Sequence, residues 1–228
     1  MKQQKGATLI TVLVILIVIT LLGTIAVKMG IVGLKIATNS QVNALLLENS
    51  DSALFNIENP AEVERQLALD GMFAYFNSSA NANDELVFCY RASENSFFKL
   101  SKASAITEDG STTKIGVDGF CKANQFAMGR SAVLSQVYLT KSSTASAPFS
   151  SVPKGTSLGQ SNVPATTNNI GATVISVLPS FAGATTTQIE NCFKQRASAV
   201  GACFDGLGIP YNMQHSDYVV GGQPKLVS

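Results

Sequence analysis

From Ala7 to Val27 the chain carries no charged residue. The run reads ATLITVLVILIVITLLGTIAV, 21 residues. A helix of that length rises ~31 Å, which matches the ~30 Å hydrocarbon core of a bilayer. The pattern predicts a membrane-crossing helix over 7–27. After Lys28 the pattern changes. Leu34, Val42, Leu45, Leu46, Ala53 and Ile57 recur at helical spacing among polar Asn39, Ser40, Gln41, Asn43, Asn49 and Asp51, with no proline before Pro60. This predicts that the same helix continues over 28–57, laying an apolar stripe on a head domain formed by 58–228. Gly23, Gly30 and Gly33 are its weak points.

Asn59-Pro60-Ala61-Glu62 is a helix start, with Asn59 as cap, Pro60 in the first turn and Glu62 placed to reach back. It predicts a second helix to about Tyr75, with Leu67, Phe73 and Phe76 in the core. Strand patterns follow. Leu86 to Tyr90 and Phe97 to Leu100 predict a hairpin around 92–95. Ala132 to Thr140 alternates, and Asp109-Gly110 between them is a turn pair. Residues 142–171 are rich in Ser, Thr, Ala, Pro, Asn and Gly, and predict a long exposed loop within one domain. The strand pattern resumes at Thr173 to Leu178. A short helix is expected over Thr186 to Ala199, then an edge strand from Asp217 to Val220 and a free tail. The fold class that emerges is α+β, a long N-terminal helix packed on a small β-sheet head.

Charge narrows the function. The chain carries 16 basic and 15 acidic side chains and charged residues make up only 14%, against ~25% in an ordinary domain. Such a balance offers no broad electrostatic footprint for nucleic acid. The four cysteines, Cys89, Cys121, Cys192 and Cys203, all lie beyond the apolar run. Four cysteines allow three connectivities. Cys89–Cys121 and Cys192–Cys203 are favoured because each pair brackets a self-contained segment, and translocation of the head would permit them. The single histidine, His215, has no evident carboxylate or nucleophile beside it in sequence, and no cysteine spacing fits a zinc site. The carboxylates are scattered. Glu62, Glu64 and Asp70 fall on a solvated helix face, and Asp84-Glu85 precedes a strand. There is no nucleophile elbow, phosphate loop or calcium loop; Gly206 to Pro210 is too sparse for a phosphate loop. These features predict neither an enzyme nor a cofactor.

The apolar run begins immediately after a short head, Met1-Lys2-Gln3-Gln4-Lys5-Gly6, with two lysines and no acid. A secretory signal has a shorter apolar core of ~7–15 residues, and a lipoprotein signal needs a cysteine that is not there. A plain signal anchor fits the hydrophobicity, with Lys2 and Lys5 cytoplasmic. Gly6-Ala7-Thr8-Leu9-Ile10 resembles the processing site of type IV prepilins. In that family a basic leader ends in Gly, a dedicated peptidase cuts after it, the new N-terminus is methylated, and the apolar helix is retained to become filament core. One departure is informative. Most pilins carry Glu as the fifth residue after the cut, and this chain has Thr11; Ala7 replaces the frequent Phe. A carboxylate in an apolar helix is costly unless paired, and a subunit with nothing above it has no partner for one. Lack of that Glu is a feature of PilX-type minor pilins and of the type II secretion pseudopilin GspK. The sequence looks most like the former, over about its first quarter.

The resemblance implies cleavage between Gly6 and Ala7, N-methylation at Ala7, and an inner-membrane prepilin with cytoplasmic N-terminus and periplasmic head. It implies as partners the prepilin peptidase, the inner-membrane assembly platform, other minor pilins and the major pilin. The implied function is structural: a place in the priming or tip complex that initiates a type IV pilus, on the cell surface after assembly. A type II secretion pseudopilin, a tip adhesin or DNA-uptake subunit, and a membrane-anchored periplasmic enzyme are the alternatives. The serine- and threonine-rich 142–171 stretch is the expected ligand surface if the head binds one.

Overall fold

The computed structural model describes residues 5–94, 98–116, 118–129, 132–142, 167–181 and 183–221. Most of the expected loop at 142–171, Phe97 of the expected hairpin, the head residues 1–4 and the tail after Gly221 lie outside these. The chain forms two compact units, residues 1–42 and 43–228.

In the first unit helix α1, Lys5–Glu58, passes through Gly23, Gly30 and Gly33 without a break. It is long and apolar enough to cross a membrane. Its apolar side chains, from Leu9 to Val32, are exposed all round. A helix that is hydrophobic on every side needs lipid or other helices around it. Leu34, expected on the buried stripe, is exposed.

In the second unit the last turns of α1, from Asn43, lie on a five-stranded sheet. Leu46, Asn49, Ser50, Ala53 and Ile57 form the buried face. Asn49 was expected on the polar side, yet it is buried with Ser50. Small polar groups here let helix and sheet approach closely: Ser50 Oγ donates to Ser176 Oγ at 2.8 Å, and Ser176 Oγ lies 2.7 Å from Ser135 Oγ. Ala53 and Ile57 share one buried cluster with Phe88, Val137, Ile170 and Val174.

The sheet is antiparallel, in the order β2-β1-β3-β4-β5. Its strands are β1 Glu85–Tyr90, β2 Ser104–Ile106, β3 Leu134–Lys141, β4 Thr167–Val177 and β5 Tyr211–Gly221. Alternation sends Leu86, Phe88, Val137 and Ile170 towards α1. It sends Val87, Leu134, Tyr138 and Ile175 to the opposite face. There α4, Thr186–Phe193, and α5, Ala197–Leu207, bury Ile189, Phe193, Val200 and Phe204. The head therefore has three layers, with helix on both faces of the sheet.

Strand β4 starts at Thr167, inside the stretch expected as loop and six residues before the expected start at Thr173, and four further expectations need correction. The helix over Pro60–Tyr75 is broken into a 3-10 turn, Pro60–Glu62, then α2, Val63–Gln66, and α3, Met72–Tyr75. Asn59 caps as expected, its Oδ1 accepting from Ala61 N at 3.1 Å. The break comes at Gly71, where a Cβ would sit 2.3 Å from the Gln66 carbonyl oxygen. The chain turns there on a close backbone approach that only glycine permits. Second, the hairpin partner of β1 is Ser104–Ile106, not 97–100; Leu100–Lys102 is a 3-10 turn. Ser104-Ala105-Ile106 is too short to show a period. Third, the helix expected over Thr186–Ala199 is two helices, parted at Lys194–Arg196. The second continues to Leu207 and ends at Gly208, with φ 66°. Fourth, the edge strand starts at Tyr211, six residues before its expected beginning at Asp217.

Candidate functional site

The residues singled out for processing lie at the start of α1. Lys5, Gly6 and Ala7 are helical in backbone. Thr11, where an acid was expected, folds its hydroxyl onto the helix: Oγ1 donates to the Thr8 carbonyl at 2.9 Å. Thr20 and Thr24 do the same towards Ile17 and Leu21, at 2.8 Å each. Each hydroxyl proton is thus used inside the helix. The run tolerates these three of its four threonines in an apolar environment for that reason.

In the head, the pairing that the sequence favours is the one formed: Cys89 with Cys121 and Cys192 with Cys203. The first ties β1 to the loop after Gly119. The second joins α4 to α5, rather than a helix end to a following loop. Gln136 and Tyr138 link the two regions. Gln136 Oε1 accepts from Cys121 N at 2.8 Å, its Nε2 donates to the Phe193 carbonyl at 2.7 Å, and Tyr138 donates to the same carbonyl at 2.9 Å. Tyr138 is fully enclosed, and burial pushes its phenol well above the usual range.

The carboxylates at the start of β1 are not scattered surface charges. Glu85 is buried, and Arg196 Nε donates to its Oε1 at 3.2 Å. Ala197 N, at the first turn of α5, donates to Oε2 at 2.8 Å. Glu85 thus caps α5 from across the fold, placing an anion at the positive helix end. The Arg196 guanidinium also reaches the Thr107 and Asn83 carbonyls, at 3.2 Å each. Asp84 accepts from Tyr75 and from Lys114 Nζ, each at 2.6 Å. Burial, then the hydrogen bond to Asp84 and its charge, hold the Tyr75 phenol above its ordinary value. A polar cleft of about 650 Å³ opens beside these groups, lined by Asn83, Asp84, Glu108, Thr140, Lys141 and Arg196.

Each of these buried ions is matched by an opposite charge and by hydrogen bonds, the pattern of a structural brace. We expect Glu85→Ala to lower the stability of the head by about 3 kcal/mol, because it leaves a half-buried guanidinium and an uncapped helix. Glu85→Gln, which keeps an oxygen for Ala197 N, should cost less. Urea unfolding of both variants in detergent measures the difference.

His215 does have a carboxylate beside it. Its Nε2 lies 3.6 Å from Asp217 Oδ1, and its Nδ1 is 2.9 Å from Thr173 Oγ1. His215 and Asp217 are both exposed on β5, and the hydroxyl in reach of the ring is that of Thr173. Among the described residues no group of three or more His, Cys, Asp or Glu is placed to hold a metal. Sequence reasoning missed Arg196 and Lys114 because their partners lie far away along the chain. The only local sign was an acidic pair directly before an apolar strand. In comparisons with known proteins, no family model, no curated protein and no solved structure matches the chain.

Proposed function

We propose that the chain is a minor pilin of the PilX type, cleaved between Gly6 and Ala7, methylated at Ala7, and built into the complex that initiates a type IV pilus. One observation carries the reading: Gly6, behind a lysine-bearing head, directly precedes a 21-residue uncharged run that opens the 54-residue helix α1, with Thr11 in place of an acid. A run exposed all round on α1 suits a subunit that exchanges lipid for neighbouring helices. Transfer from bilayer to filament core then exposes no apolar surface to water. Past the run, Phe55 is 72% exposed on α1 opposite the buried face, an apolar group available to a neighbour. The disulfide-tied head suits life outside the cytoplasm.

The test is the N-terminal mass of the protein taken from cells. The expected chain begins at methylated Ala7. A chain that begins at Met1, or after Ala26, would overturn the proposal.

A further inference from the structure

The stretch of α1 that lies on the sheet turns its opposite side outward. Ala44, Glu48, Asp51, Phe55 and Glu58 are all exposed there. They recur at alternating spacings of four and three, the seam by which one helix pairs lengthwise with another. Leu47 flanks the seam and is 44% exposed, and Phe55 is 72% exposed. Large apolar groups, aromatic ones above all, are what the centre of a contact surface is made of.

Charge decides which kind of helix fits. Between Lys35 and Arg65 the chain carries five acids, Glu48, Asp51, Glu58, Glu62 and Glu64, and no base, although the whole chain is close to neutral. Among the described residues neither Glu48 nor Asp51 has an ion-pair partner. Two copies anchored by the same apolar run, as the proposed function has them, stand parallel and in register. On this seam they would set Glu48 against Glu48, Asp51 against Asp51 and Glu58 against Glu58. Only Phe55 against Phe55 would attract; the acids repel across the seam. A helix with lysine or arginine at the facing positions keeps the apolar contact and turns each repulsion into attraction.

We propose that the outward face of α1 over 44–58 docks a parallel, basic-faced helix of a different subunit, and that its acids reject a second copy of this chain. The parallel orientation rests on the proposed function; the selection by charge does not.

A charge-reversed copy of the chain supplies the partner's chemistry. The native chain has no free cysteine, so Ala44→Cys places a single reactive thiol on the seam. Two differently tagged full chains carrying it are mixed in detergent micelles and joined with a short bis-maleimide. At low salt the native seam should cross-link to a Glu48→Lys/Asp51→Lys copy about tenfold faster than to another native seam. High salt should shrink that advantage, and Phe55→Ala in both chains should slow the mixed pair. Glu48→Gln/Asp51→Asn, which only removes charge, should cross-link to itself faster than the native seam does. His215→Cys, on the sheet face away from α1, gives the rate of chance encounter within a micelle. A native pair as fast as the mixed pair would overturn the rejection of a second copy. A mixed pair no faster than the His215→Cys control would overturn the docking face. Neither result bears on cleavage after Gly6, which the N-terminal mass decides.

Discussion

Replacing Cys89 and Cys121 by alanine should lower the unfolding free energy of the head by about 4 kcal/mol, and replacing Cys192 and Cys203 by about 3 kcal/mol, from the loop lengths alone. The bridges span 32 and 11 residues, so the first removes more freedom from the unfolded chain. The order should also reflect what each loop retains without its bridge. Without the first, the segment around Cys121 stays attached through Cys121 N–H to Gln136 and Gly119 N to Ser104 Oγ. Without the second, α4 and α5 remain packed through the edge-to-face contact of Phe193 and Phe204, whose ring centres lie 5.1 Å apart. Both variants should therefore fold, at reduced stability. The measurement is urea unfolding in detergent, with and without reductant. Reductant should leave the double alanine variants no less stable than the reduced wild type. A Cys89–Cys121 variant as stable as the oxidised wild type would contradict the brace.

What the sequence made legible was whatever repeats locally. The apolar run and the helical stripe beyond it announced α1, because a 3.6-residue period persists there over many turns. Bracketing of short segments by cysteines was enough to favour the pairing that is formed. The register of the sheet was harder. Ser104–Ile106 is three residues long, so its place as partner of β1 depends on β1 offering an edge, not on its own pattern. Strand β5 hid most of its length because Asn212, Gln214 and Ser216 bond to β4 through the backbone while their side chains break the apolar alternation. The brace at Glu85 was invisible for another reason. Arg196 is 111 residues away, and neither residue carries a local sign of the other. The broken helix after Pro60 shows the limit from the opposite side. Its capping signal was correct, but the helix stops at Gln66 and restarts from Gly71 through a close backbone approach made only once the chain has folded.

Gly6→Leu should leave the leader attached and exclude the chain from filaments. The cut, on the proposed reading, lets the helix start at Ala7, where the new α-amino group is the one charge at the head of the apolar run. Left in place, the leader adds six residues, with Lys2 and Lys5 among them, or roughly 9 Å if helical. In the membrane, on the same reading, those lysines would sit at the cytoplasmic interface at little cost. In a filament core they would be drawn among apolar helices, at about 2.5–3.5 kcal/mol each by the mildest scale for lysine in such surroundings. A penalty of that size, taken twice, is roughly several thousandfold or more in the assembly equilibrium. It has no counterweight, because Thr11 supplies no carboxylate. The variant should thus accumulate in the membrane fraction at the mass of the full chain, with native head disulfides, and be missing from sheared surface filaments. Wild-type amounts of Gly6→Leu in those filaments would mean that the leader is compatible with the core. Thr11→Glu offers the complementary measurement. A subunit with nothing above it gains nothing from the acid, so its incorporation along the shaft should not rise. A rise would indicate that a neighbour's N-terminus does reach this position, and would count against a place at the tip.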